Sequence, residues 1–219
     1  MKTNSLFEPT EAQIDLLIAR FPFALLISTG PDGLAATPLP FLFERHSDGR
    51  QTLLGHLSRA NPQVRELGDN PDALVAFQGP HGYISPSWFS DRSQAPTWNF
   101  ASVHFSVRVE LLWSHEENAK AVEILTHIME AGRPSPWNPT ELGSRYARLL
   151  PSIVAFKAHV VHTVAKFKLG QNERTDVLKD AIAGLDREPL PDLAAMMRSA
   201  NSQKLSDEAA GIEARSLST

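Results

Sequence analysis

Ser58-Arg59-Ala60-Asn61-Pro62-Gln63 gathers a hydroxyl, a guanidinium and an amide at the end of an apolar run and directly before a helix-initiating proline. The hydroxyl can donate, the guanidinium can fork onto a phosphate, and a new helix offers unpaired N–H groups. His56 stands two residues upstream on the same run. This chemistry suits a phosphate-bearing ligand. The same residues also admit a plainer account, in which Asn61 caps a short helix and Arg59 lies in solvent.

Two further clusters carry groups of this kind. Trp98 and Asn99 pair a flat apolar surface with an amide that both donates and accepts, which suits a planar heteroaromatic ring with polar edges. A core tryptophan beside a turn asparagine is the alternative. In Lys166-Phe167-Lys168-Leu169-Gly170-Gln171-Asn172 an extended backbone puts Lys166, Lys168 and Gly170 on one face. Two ammonium groups there could hold a phosphate or an anionic ring, or could be a solvated strand end. His159 and His162 are three apart on an expected strand, point to opposite faces and do not form a metal pair. His81 lies near Ser85 and Ser87, but no G-x-S-x-G elbow accompanies them. No catalytic side chain and no metal site is assigned.

The elements that would position these groups are legible from periodicity and punctuation. Glu11 opens a helix with an apolar stripe of Ile14, Leu17, Ile18 and Phe21, ended by Pro22. Residues 23–29 read as a buried strand, Gly30 to Gly33 as a turn, and residues 34–43 as the hairpin partner. Pro38 and Pro40 place that partner at an edge or a bulge. Residues 51–57 form the strand that delivers the Ser-Arg pair, followed by a helix over 62–67 ended by Gly68. A strand over 72–78 and an irregular, packed segment over 79–96 come next. Residues 100–112 alternate strictly, with Val103, Phe105, Val107, Val109 and Leu111 on one face. Ser114 and Glu117 open a helix as a capping box. Then follow a helix over 140–150, an alternating strand over 153–161, and helices near 175–183 and 192–199. Beyond Asn201 the chain reads as frayed or disordered.

The 219 residues are 42% hydrophobic and 21% charged, which is ordinary for a soluble globular protein. A net charge of -4 argues against non-specific nucleic-acid binding. The absence of cysteine excludes disulfides and thiolate chemistry. No apolar run reaches the length of a membrane helix, no signal peptide is visible, and a cytoplasmic protein is expected. No Rossmann or Walker motif occurs. Six or more strands joined by short turns, with helices inserted late, predict an α+β, mainly β protein built on an antiparallel β-barrel.

The clusters together resemble the PaiB-type family of FMN-binding proteins, often labelled negative transcriptional regulators. LLGHLSRANPQ at 53–63 is similar to its G-H-x-A-R-A-N-P-Q run. FQGPHGYISPSWF at 77–89 and PTWNFASVH at 96–104 match its central block, and KFKLGQN at 166–172 resembles its K-F-K-L-S-Q-N signature. The similarity spans about residues 7–185. It implies an FMN-binding split β-barrel over 1–185, related to flavin reductases and pyridoxamine-phosphate oxidases, with peripheral helices and a helical, partly disordered C-terminal extension over 186–219. It implies a homodimer with FMN at the subunit interface. The phosphate would lie on Ser58 and Arg59 with Asn61 nearby, His56 would belong to the same cofactor-binding set, Trp98 and Asn99 would line the ring, and Lys168, Gln171 and Asn172 would close the site from the same subunit or the other. Pro38 stands where the family has His, Ser58 replaces an Ala and adds a donor, and Gly170 replaces a Ser and removes one. Two functions follow: a flavin-reductase-like oxidoreductase using NAD(P)H, or an FMN-binding repressor, with DNA implied only by the family label.

Overall fold

The computed structural model describes residues 4–207. Its strands are β1 (Phe23–Gly30), β2 (Gly33–Pro40), β3 (Leu42–Arg45), β4 (Gln51–Ser58), β5 (Asp72–Ile84), β6 (Thr97–Leu112) and β7 (Ile153–Lys168). Its α-helices are α1 (Glu11–Arg20), α2 (Gln63–Asp69), α3 (His115–Glu130), α4 (Ser144–Leu149), α5 (Thr175–Arg187) and α6 (Pro191–Ala200). The strands form one sheet in the order β2-β1-β5-β6-β7-β4-β3. β1 pairs antiparallel with β2 and β5, and β4 with β3 and β7. The α+β, mainly β expectation therefore holds. β2 lies at the sheet edge, where Pro38 and Pro40 cost no inner ladder bond.

The chain divides into two compact units. The first comprises Met1–Thr10, Gln78–Ser102 and Ala165–Thr219; the second comprises Glu11–Phe77 and Val103–Val164. The core of the second unit is aromatic. Phe41 meets Phe77 at 5.8 Å and Phe156 at 5.9 Å, and Phe77 meets Phe105 edge-on at 6.0 Å. These four rings are almost wholly removed from water, and each such burial contributes about 1.5–3 kcal/mol before entropy is counted. In the first unit Phe167, Leu169, Leu178, Leu185, Leu193 and Met197 are buried together with Ile84 and Phe89.

Several elements depart from the sequence reading, each for an identifiable reason. β1 is not buried throughout: Phe23 and Leu25 face out while Ala24 and Leu26 face the core. Its apolar outer face matches that of β2, whose Leu34, Ala36 and Pro38 are also exposed. β5 runs on to Ile84, so residues 79–84 are strand and not irregular chain. Gly68 lies inside α2, which is closed instead at Asn70 by an N–H to Glu66 carbonyl bond. The helix expected over 140–150 is broken at Gly143, whose φ of 53° opens α4 afresh. Ser102, whose place in the alternation is on the face opposite Val103, is buried as well. Residues 202–207 are helical, and residues 208–219 of the tail expectation lie outside the described residues. The α3 capping box is formed as expected: Glu117 N–H donates to Ser114 Oγ, and Ser114 N–H to Glu117 Oε2.

Candidate functional site

The second unit carries the Ser-Arg cluster. β4 ends at Ser58, and Arg59 follows with its backbone N–H donating to Ser152 carbonyl at 2.8 Å. Its Nε donates to Pro151 carbonyl at 2.7 Å and one Nη to Ile153 carbonyl at 3.2 Å. The guanidinium lies 5.8 Å from the Trp113 ring centroid. It is thus held in place by neutral acceptors, and three of its five N–H donors remain. Ser58 Oγ is exposed and accepts from Ala60 N–H at 3.3 Å.

Asn61 and Gln63 face inward. Asn61 Oδ1 accepts from Gln63 N–H at 2.9 Å and its Nδ2 donates to Thr37 Oγ1 at 2.9 Å. Gln63 is 1% exposed, and its Nε2 donates to Ser28 Oγ and to Leu26 carbonyl. These two amides tie α2 to the β1–β2 hairpin. His56 is half-buried, its Nδ1 has no partner, and burial holds its pKa below the ordinary value.

The first unit carries the remaining predicted residues and a cavity of about 280 Å³. Asn99, Lys168 and Asn172 line it, with Thr97 and Gln94 beside them and Ile84, Phe89, Val177, Leu178, Ala181 and Met197 as apolar wall. Asn99 is only 2% exposed; its Nδ2 meets Met197 Sδ at 3.5 Å, and its Oδ1 has no partner. A buried carbonyl without a donor costs on the order of 1–3 kcal/mol, so it calls for a donor from whatever fills the cavity. Lys168 Nζ donates to Thr97 Oγ1 on the same side.

The loop wall is set by Asp91, which accepts from Ser93 and Gln94 and pairs with Arg174 at 3.2 Å. The Ser93 hydroxyl and backbone N–H, with Gln94, draw the Asp91 carboxyl down to about 2. The turn after β7 needs Gly170, whose φ is 84° and whose added Cβ would stand 3.0 Å from Leu178. Gln171 braces that turn: its Oε1 accepts from Leu169 N–H and its Nε2 donates to Phe167 carbonyl. Asn201 Nδ2 donates to Leu169 carbonyl, and Lys204 Nζ to the carbonyls of Gln171 and Glu173.

Trp98 and Asn99 do not share a face of β6. Trp98 is exposed, stacks on His81 at 5.9 Å and donates from its indole N–H to His81 Nδ1. Thus Asn99, Lys168 and Asn172 come together at one cavity, Gln171 supports it from behind, and Trp98 faces away from it. His56, Ser58, Arg59 and Asn61 belong to the other unit. Sequence reasoning missed Thr97, Gln94 and Met197 at the cavity and Trp113 beside Arg59. Met197 carried no signal beyond an ordinary apolar stripe.

Residues 1–162 match the protein family described as "Putative FMN-binding domain". The chain belongs to that family. The protein called Protease synthase and sporulation protein PAI 2 of Bacillus subtilis (strain 168) is 34% identical over 178 residues, covering 80% of this chain and 83% of that one. The resemblance carried by the four motif stretches is therefore borne out. Among solved structures, the flavocytochrome Anf3 from Azotobacter vinelandii aligns with a TM-score of 0.56 at 18% identity, covering 75% of this chain and 70% of that one. The FAD and heme binding protein from Mycobacterium smegmatis aligns with a TM-score of 0.55 at 18% identity, covering 81% and 79%. At such identities these two speak for the fold alone, which is of the split-barrel class. Among the described residues no helix is long and apolar enough to cross a membrane.

Proposed function

We propose that this member of the FMN-binding family holds FMN and accepts electrons from NAD(P)H, as a flavin-reductase-like oxidoreductase of the cytoplasm. The observation that carries the reading is the cavity with the orphaned Asn99 Oδ1 beside the Lys168 ammonium. The polar edge of a flavin ring presents one N–H between two carbonyls, and this pair offers the matching acceptor and cationic donor. The apolar wall suits the remainder of the ring. The residues present fit the group. Asn99, Lys168 and Asn172 would hold the ring, with Gln171 fixing the turn that carries Asn172. Ser58 and Arg59, with Asn61 nearby, would serve the phosphate, as the family resemblance implies; His56 is counted with the same cofactor-binding set, and Trp98 offers an exposed ring face. When bound, the flavin supplies two-electron redox chemistry; the chain binds it and tunes its charge.

The purified protein is expected to show flavin absorbance after FMN addition and gel filtration, and to lose it when NADPH or NADH is added without oxygen. Protein that stays colourless refutes FMN binding. Protein that binds FMN, resists both nucleotides and retards promoter DNA in a salt-sensitive way is instead a regulator, the second function that the family resemblance implies. We further infer a homodimer, supported by the exposed apolar row of Phe23, Leu25, Leu34, Ala36 and Pro38. Light scattering is expected at twice the chain mass; the mass of one chain at micromolar concentration rules it out.

A further inference from the structure

An open groove in the second unit, about 770 Å³ in volume, runs past Arg59, Asn61, Pro62, Arg65, Asp69 and Trp113. Its groups are unlike those of the smaller Asn99 cavity. Trp113 is 57% exposed, at the junction where β6 gives way to α3. Its ring already lies beside the Arg59 guanidinium. That guanidinium is fixed by two carbonyls of residues 151 and 153 and keeps three free donors, so its position is set before any ligand arrives. Arg65 sits on the exposed side of α2, and its guanidinium has no acidic partner among the described residues. A flat indole with two guanidiniums, in a groove too open to enclose an apolar molecule, suits a ligand that is itself planar at one end and polyanionic at the other.

We propose that this groove binds a nucleoside diphosphate moiety, with the base on Trp113 and the two phosphates on Arg59 and Arg65. A diphosphate needs two separate cationic forks, and the groove supplies two; Asp69, the one carboxylate on its wall, leaves a net positive charge. The assignment shares Arg59 with the FMN phosphate reading and goes beyond it. It would make the chain a reader of dinucleotides, either through the second half of a flavin dinucleotide or through the nucleotide half of a pyridine dinucleotide.

The test is calorimetry on the full chain with ADP, AMP and adenosine. ADP is expected to bind, AMP more weakly, and adenosine at least about tenfold more weakly than ADP, because each lost phosphate removes a charge-assisted contact. Trp113→Ala and Arg65→Ala should each weaken ADP about tenfold, while Arg65→Lys should retain part of the affinity. Both side chains are exposed, so circular dichroism should confirm folded variants. No heat with millimolar ADP, or ADP affinity unmoved by either alanine variant, overturns the proposal. Two arms separate the sources. A fall in the FAD-to-FMN affinity ratio in Trp113→Ala identifies a flavin dinucleotide, and displacement of ADP by NADPH but not FAD identifies a pyridine one. ADP carries no flavin, so its binding stands or falls independently of the FMN reading.

Discussion

Lys168→Met is expected to lower the midpoint potential of bound FMN by about 30–60 mV while leaving the oxidised complex intact. Lys168 is half-buried at the cavity, and among the described residues its ammonium donates to a neutral hydroxyl, that of Thr97, and not to a carboxylate. Its charge is therefore available to a ligand. Reducing a flavin places negative charge on the polar edge of the ring, and a cation there favours the reduced form over the oxidised one. A charge-assisted hydrogen bond contributes about 1.5–3 kcal/mol, and for a two-electron couple 1.4 kcal/mol corresponds to about 30 mV. The reduced complex should weaken roughly tenfold to a hundredfold, and the oxidised one much less. Lys168→Arg should restore most of the potential, since it keeps the charge. Spectroelectrochemical titration of the three loaded proteins decides the matter. If Lys168→Met titrates at the wild-type potential, the ammonium does not face the ring edge.

The sequence was most legible where a short-range rule fixes structure. The Ser114–Glu117 capping box, the edge position of the Pro38 strand and the alternation of residues 103–109 rest on local geometry, and each is found as expected. It was least legible where long-range packing overrides a local signal. Gly79, Pro80 and Gly82 read as loop, yet they continue β5 because the first unit supplies them with a packed surface: a Cβ at Gly82 would stand 2.9 Å from Leu190. Gly68 reads as a stop, yet α2 runs through it to Asp69. The candidate site divides in the same way. That Asn99 and Lys168 belong together was readable from the motifs. That Trp98 and Asn99 point apart follows from a strand that begins three residues earlier than its alternation suggests. Met197 could not be foreseen, because its place beside the Asn99 amide depends on the packing of α6, and the two residues are 98 positions apart in the chain.

The motif S-R-A-N-P-Q reads as a ligand signature, but its last residue belongs to the scaffold, and Gln63→Glu is expected to expose this as the largest stability loss of any isosteric change in that run. Gln63 is 1% exposed and its Nε2 faces three acceptors: Ser28 Oγ at 2.8 Å, Leu26 carbonyl at 3.2 Å and Ala35 carbonyl at 3.4 Å. A carboxylate of the same shape has no hydrogen to offer them, and the nearby Glu66, which accepts from Ser28 Oγ, adds like charge. The cost should be about 3–5 kcal/mol at pH 7, roughly 6–20 °C in Tm for a chain of this size. Gln63→Leu removes the donor without adding a charge and also removes the partnerless Gln63 Oε1, so it should cost only about 1–3 kcal/mol. The pH dependence has a definite sign. Burial raises the folded pKa of the introduced carboxyl above its unfolded value near 4.3, so the penalty is absent below that value and grows as pH rises through it. Thermal unfolding at pH 7 and near pH 4.5, each against wild type, should therefore show the deficit of the acidic variant shrinking on acidification and that of the leucine variant unchanged. Equal deficits for the two variants at pH 7 would mean that Nε2 is not oriented toward these acceptors, and that the amide is turned with its oxygen inward.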